Sequence, residues 1–165
     1  LRTPLVAAVQ CFCVGGGFEL AMCADIMVAA DTAQFGVPET KYGIIGECGV
    51  VHRVIRQLPH HVAMAMILTG ERIDAETALR HGLVNESCPP GALAETANRW
   101  AAKVTAASPL ANQAAKAAAL GRLGYPLEVA LATRFEPIEQ YAASTDRQES
   151  DAARREGRKA EWNGY

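Results

Sequence analysis

The chain has 165 residues, half of them hydrophobic and about a fifth charged, with a net charge of −2. That is the composition of a folded chain long enough to bury a core, one domain or one domain with an appendage, and not of a disordered segment. The near-neutral balance holds no basic stripe, which argues against nucleic acid as a partner, and no apolar run approaches the ~18 residues of a membrane span.

The chain opens on Leu1-Arg2-Thr3-Pro4 and runs straight into a strand pattern. A natural start is not expected there, so an N-terminal part is expected to be missing, and any targeting segment with it. Leu5 to Val9 is a continuous apolar run, the pattern of a strand buried on both faces. Cys11 and Cys13 fall on the same side of a strand and read as packing. Cys23, Cys48 and Cys88 bring the cysteines to five, an odd number whose spacing fits no zinc pattern. Buried, reduced thiols in a reducing compartment are expected. Arginine outnumbers lysine and alanine is abundant, which points to a bacterial source with a GC-rich genome.

Gly15-Gly16-Gly17 breaks the first apolar segment, and Phe18 to Ala24 reads as a short helix. Asp25 to Ala30 is a second buried strand, and Gln34-Phe35-Gly36 a third, leading to Pro38-Glu39. Strand, turn, helix and strand in quick succession suit a layered α/β core. Gly43 to Gly49 is a glycine-punctuated loop. His60 to Leu68 is helical and ends at Gly70. Asp74 is the expected N-cap of a helix through Arg80, stopped by Gly82. Leu83 to Glu86 reads as a last short strand, and Pro89-Pro90-Gly91 as a turn.

From there the chain turns helical. Leu93, Ala97, Trp100, Ala101 and Val104 follow amphipathic spacing. Ser108-Pro109 starts another helix, with serine at the N-cap and proline first inside. Pro126 to Ala143 is predicted as a third, bent at Pro137. Asp146 to Glu161 carries five acidic and five basic residues, a solvated helix face. The change in character near residue 105 divides the chain into 1–105, mixed α/β with the candidate site, and 106–165, all helix.

The chemistry concentrates in two places. Three glycines between a strand and a helix allow close backbone approach and turn amides outward at a helix N-terminus, which suits an anion or a charge developing on a carbonyl oxygen. The spacing is not G-x-G-x-x-G, so a dinucleotide site is disfavoured; a simple tight turn is the alternative. Glu19 and Glu39 stand in apolar surroundings, where a carboxylate needs compensation. Together they would divide into one base and one acid, as adding water to an α,β-unsaturated thioester requires. Read separately, Glu19 is a first-turn residue favoured by the helix dipole and Glu39 a surface carboxylate. His52 follows the glycine loop and reads as a packing or surface residue, or as a support for the site; His60-His61 reads as exposed.

The run "PLVAAVQCFCVGGGFELAMCADIMVAADTAQFGVPETKYGI" resembles the heart of the enoyl-CoA hydratase/isomerase (crotonase) family, with its A-x-G-G-G-x-E-L, C/A-D-x-x-x-A and A-x-F-x-x-P-E. Downstream, "ILTGERIDAETALRHGLVNE" and "DRQESDAARREGRKAEW" are similar to its later blocks. The resemblance covers essentially the whole chain. It implies that Gly16 supplies one oxyanion-hole amide and that Glu19 and Glu39 are the catalytic pair of a hydratase. Gly15, Gly17, Phe18 and Glu47 would then be substrate-binding. The first glutamate is often lacking in members that only isomerise a double bond.

The resemblance also implies the fold: α/β, the C-terminal part of a ββα spiral, followed by helices that make trimers, or hexamers from two trimers. The partner would be an acyl-CoA thioester, with coenzyme A arriving as part of the substrate and no metal or separate cofactor. The location would be a bacterial cytoplasm. The family's N-terminal third, which supplies the second oxyanion amide and most of the nucleotide pocket, has no counterpart here.

Gly43-Ile44-Ile45-Gly46-Glu47-Cys48-Gly49 departs from the usual G-x-x-P-G-A-G-G-like loop: glycine replaces proline, and Glu47 stands where glycine is usual. An acid there is similar to carnitinyl-CoA dehydratases, dienoyl-CoA isomerases and hydroxyacyl-CoA hydrolases, and would make a third carboxylate. Arg155 and Arg158 either replace a family lysine against a CoA phosphate or balance nearby acids. Three readings stand: a trans-2-enoyl-CoA hydratase, a sister activity using Glu47, and a truncated, non-catalytic assembly subunit.

Overall fold

Short apolar strands and small helices alternate through the first part of the chain. In a computed structural model that describes residues 1–164 they are Val6–Val9 (β1), Phe12–Val14 (β2), Gly16–Ala21 (α1), Ile26–Ala30 (β3) and Gln34–Gly36 (β4). A tight 3-10 turn, Pro38–Tyr42, follows, then Val50–Gln57 (α2), His60–Thr69 (α3), Arg72–Asp74 (β5), Ala75–Arg80 (α4) and Glu86–Cys88 (β6). The remaining helices are Leu93–Thr105 (α5), Pro109–Gly121 (α6), Leu127–Ala132 (α7), Glu136–Ala142 (α8) and Thr145–Glu156 (α9). The chain divides into two compact units, Leu5–Ala101 and Leu1–Pro4 with the segment from Ala102 onward.

The first unit holds two three-stranded sheets, β1-β3-β6 and β2-β4-β5. All pairs are parallel except β4 with β5. Polar side chains fix the register where strands begin. Asp25 Oδ2 accepts the Leu5 amide at 2.7 Å, and Asn85 Oδ1 accepts the Met27 amide at 2.9 Å. β3 is central and buried along four of its five residues, whereas β1 lies at the sheet edge and is only partly buried. The two-faced burial expected for Leu5–Val9 therefore belongs to β3.

Phe18, Phe35, Val37, Val50, Val54 and Met66 are almost fully buried in one core, with the Phe18 and Phe35 ring centroids 5.8 Å apart. A smaller cluster joins Val28, Cys88 and Leu93 to Trp100, whose indole N–H donates to Glu86 at 2.9 Å. Asp74 caps α4, accepting the Thr77 amide at 2.8 Å.

The structure departs from the sequence reading in several elements. α2 and β5 occupy segments to which no element was assigned. The last strand is Glu86–Cys88, because Leu83 and Val84 are instead buried in the turn after Gly82. Of the cysteines, only Cys13 and Cys88 are buried; Cys11 lies in a bend before β2 and is exposed, as are Cys23 and Cys48. Burial pushes the Cys13 thiol up to about 11.

In the second unit, Ser108 and Ser144 cap α6 and α9. Asp146 is fully buried and gathers this unit's ends: it accepts the Ser108 hydroxyl at 2.6 Å and the Asn163 and Gly164 amides at 3.0 Å each. The helix expected over 126–143 is two helices, with an extended break at 133–135 and not a bend at Pro137. Proline fits in the first turn of α8, where its missing N–H costs nothing. At the break the Phe135 ring lies over Gly121, so close that a Cβ there would sit 2.3 Å from it. No helix among the described residues is long and apolar enough to cross a membrane.

Candidate active site

The glycine triplet makes the first wall of the site. Gly15 has φ 53° and ψ −133°, a backbone state that side chains other than hydrogen rarely adopt. It turns the chain from β2 into α1, whose first-turn amides have no intrahelical acceptor and no side-chain cap. Gly16 and Gly17 are exposed, and open space faces the position of a Cβ at each. Their amides lie at the positive end of a short helix, as an oxyanion site needs. Phe18 points the other way into the core, with no exposed surface, so only its backbone can face a ligand.

Glu19 follows one turn into α1 and is half-buried. Its Oε1 accepts the Cys48 amide at 2.8 Å. Glu39 sits in the 3-10 turn after β4, 9% exposed, and its Oε2 is buried without a hydrogen-bond partner among the described residues. That turn is tied to α3, since Thr40 Oγ1 donates to the Ile67 carbonyl at 3.0 Å.

The loop of residues 43–49 closes the site and brings the two acids together. Gly46 is buried. A Cβ on it would lie 3.4 Å from Glu39 Oε1 and 3.5 Å from Glu19 Oε1, so the two oxygens are no farther apart than the sum of these distances. The same Cβ would fall 2.2 Å from Val50 Cγ1, which is why no side chain fits between the acids and the core. Glu39 Oε1 also lies 3.7 Å from the Cβ position of Gly15. Glycine triplet, Glu19 and Glu39 thus surround one small region, with one carboxylate oxygen from each acid facing it.

Glu47 is exposed on the same loop, next to Cys48. The Cys48 thiol is held above the ordinary thiol range, first by the charge of Glu19 and by a hydrogen bond to it, then by slight desolvation and by Glu47. Arg53, on α2, donates to the Cys48 carbonyl at 3.2 Å. Gly46, Cys48 and Arg53 are the site residues that reading the sequence passes over; the signal for the first was a glycine in the position of a family proline. His52 is exposed on α2 and His60 and His61 are exposed on α3.

Outside this unit, Arg158 makes a two-point contact with Glu149, at 2.5 and 2.8 Å, and reaches Glu156 at 2.6 Å, so it balances nearby acids. Those contacts draw the Glu149 carboxyl down to about 2. Among the described residues no cluster of three or more His, Cys, Asp or Glu side chains could hold a metal ion.

The model of the enoyl-CoA hydratase/isomerase family matches residues 1–165. The (E)-benzylidenesuccinyl-CoA hydratase of Thauera aromatica is 42% identical over 76% of this chain and 49% of its own length. A carnitinyl-CoA dehydratase of Salmonella arizonae is 37% identical over 100% of this chain and 65% of its own. A solved chain from Novosphingobium aromaticivorans DSM 12444, assigned to the short chain enoyl-CoA hydratases, superposes with a TM-score of 0.96 at 70% identity, covering 99% of this chain and 65% of that one. The chain therefore spans between half and two thirds of the length of these relatives.

Proposed function

The chain belongs to the enoyl-CoA hydratase/isomerase (crotonase) family, and we propose that it carries the acid–base pair of an enoyl-CoA hydratase acting on a trans-2-enoyl-CoA thioester in acyl-CoA metabolism. The observation that carries this reading is the convergence of Glu19 and Glu39 on the region beside Gly46, next to the open amides of α1. In the proposed step one glutamate takes a proton from water as the water oxygen bonds to the β carbon. The π electrons move toward the thioester, and the negative charge growing on its oxygen is met by the Gly16 amide. The other glutamate gives its proton to the α carbon, so that H and OH are added across the double bond. Read backwards, the same groups dehydrate a 3-hydroxyacyl thioester. Coenzyme A enters as part of the substrate, and no further cofactor or metal is called for. A homotrimer, or a hexamer of two trimers, in a bacterial cytoplasm is the proposed assembly and setting.

Loss of the enoyl absorbance of crotonyl-CoA on mixing with the full chain tests this, with Glu39→Gln as control. Hydration that disappears in the control is expected. Equal rates in the two proteins would reject the pair as the catalytic centre.

A second reading is favoured by the position of Glu47, exposed one residue from the amide that holds Glu19. A third acid there suits dehydration of a cationic acyl group of the carnitinyl kind, or a dienoyl isomerisation or thioester hydrolysis.

A further inference from the structure

Arg53 is placed where its own helix gives it little freedom. Its neighbours on α2, Val50 and Val54, are fully buried and anchor the helix in the core, while Gln57 Nε2 donates to the Met22 carbonyl at 3.3 Å and ties the end of α2 to the end of α1. Arg53 itself is only half-buried and turns back over the loop that precedes α2. Its guanidinium lies on the backbone of Gly49: a Cβ there would be 2.3 Å from Nη1. Gly49 has φ 97°, so both conformation and space demand glycine at that point.

From this seat Nη1 donates to the Cys48 carbonyl at 3.2 Å, and the amide of the same residue donates to Glu19 Oε1 at 2.8 Å. One residue is thus gripped at its carbonyl by a helix rooted in the core and at its amide by a glutamate of the proposed catalytic pair. We infer that Arg53 is a positioning residue for Glu19, acting through the backbone of Cys48. The inference rests on the hydratase reading only for its effect on turnover; the mechanical link stands on the contacts alone. Without Arg53, the 46–49 loop loses a side chain that grips the Cys48 carbonyl, and the Glu19 carboxylate loses a fixed donor. Near-attack geometry at Glu19 then degrades.

Cys48 reports the link without any need for turnover. Around its thiol stand Glu19 and Glu47, with Glu39 beyond Gly46 and Arg53 at its carbonyl. The negative charge of Glu19 raises the thiol, and a neighbouring cation would lower it. The two roles open to Arg53 therefore have opposite signs. If Arg53 acts only by its charge, removing it raises the Cys48 thiol further. If it holds Cys48 against Glu19, removing it lets the two separate and the thiol falls toward that of a free cysteine.

The experiment follows iodoacetamide labelling of Cys48 against pH by peptide mass spectrometry, in the parent chain, Glu19→Gln, Arg53→Gln and Arg53→Lys. The tryptic peptide from Tyr42 ends at residue 53 in the parent, Glu19→Gln and Arg53→Lys and at Arg56 in Arg53→Gln, and in each case contains no other cysteine. Circular dichroism confirms that each variant is folded. The parent midpoint is expected above that of a free cysteine, and Glu19→Gln and Arg53→Gln are each expected to lower it, with Arg53→Lys between parent and Arg53→Gln. In hydration assays Arg53→Gln should cut kcat roughly tenfold with KM within about threefold. An Arg53→Gln midpoint equal to or above that of the parent overturns the inference, whatever happens to kcat. A parent that hydrates nothing, with the expected thiol pattern, overturns the hydratase reading and leaves the positioning role standing.

Discussion

Glu19 and Glu39 each aim Oε1 at the Cβ position of Gly46, to within 3.5 and 3.4 Å. They come from different supports, one from the first turn of a helix and the other from a 3-10 turn after a strand, yet meet over a residue with no side chain.

The two acids act as a unit in the proposed reaction. Glu19→Gln and Glu39→Gln should each lower kcat on crotonyl-CoA by about 10²–10⁴, and the double variant should be little worse than the weaker single one. Steady-state kinetics on the three proteins checks this. Multiplicative losses would mean that the glutamates serve separate steps.

Gly46→Ala brings a methyl group to 2.2 Å from Val50 Cγ1. Overpacking of this kind costs about 1–3 kcal/mol, and relief moves the Val50 side chain, the loop or α2. Both stability to urea and hydration should fall. Gly46→Ala, Val50→Ala should recover most of the activity, although Val50→Ala leaves a core cavity of its own.

Glu47→Gln separates the two functional readings. A two-acid hydratase should retain kcat within about threefold, whereas an enzyme using a third acid should lose about 10² or more. The comparison is made on crotonyl-CoA and on a carnitinyl-CoA substrate in parallel, since a cationic acyl group alone would register the loss of an attracting charge.

Burial works against the charge of Asp146, but hydrogen bonds from Ser108 and from the Gly164, Asn163 and Leu110 amides outweigh it and hold the carboxyl below its usual range. A depressed carboxyl adds stability that is fully present above the unfolded value of ~3.9 and is lost as pH falls through the lower folded value. Asp146→Asn should therefore melt several degrees below the parent at pH 7, with the gap narrowing below pH 4. Thermal melts across pH 2–7 decide it, and a gap that does not depend on pH would refute the ionic part of the argument.

Phe18→Ala should remove about 3–5 kcal/mol of stability, because the ring is fully enclosed against Phe35. It should also slow hydration in the fraction that stays folded, since Phe18 is the residue that seats the helix bearing Glu19. Denaturant titration paired with activity per folded molecule measures both.

What the sequence discloses and what it hides divide by distance along the chain. The glycine triplet, Glu19 and Glu39 stand out in the sequence through their resemblance to the family's motifs; local spacing alone left a tight turn, a first-turn acid and a surface carboxylate open. The Asp74, Ser108 and Ser144 caps depend on a donor only three residues on; the first two stand out ahead of a helical pattern, and Ser144 does not. The Cys48 amide on Glu19 spans 29 residues and has no local pattern. Nor does Phe135 over Gly121, a contact made from the break in the helix expected over 126–143. α2 is a different case: Val50, Val51, Val54 and Ile55 do repeat at helical spacing, but the glycine run before them obscures where the helix begins. Leu83 and Val84 look like a strand because they are buried, yet burial alone does not say that a backbone is paired.

The turn that carries Glu39 is bolted to α3 through Thr40 and the Ile67 carbonyl, while Glu19 leans on a glycine-rich loop. Both supports lead back to the core, since Arg53 of α2 holds that loop at the Cys48 carbonyl. A lineage reshaping this site for a bulkier or differently charged acyl group would find its freedom at the exposed loop residues 44, 45 and 47, and could leave both supports untouched.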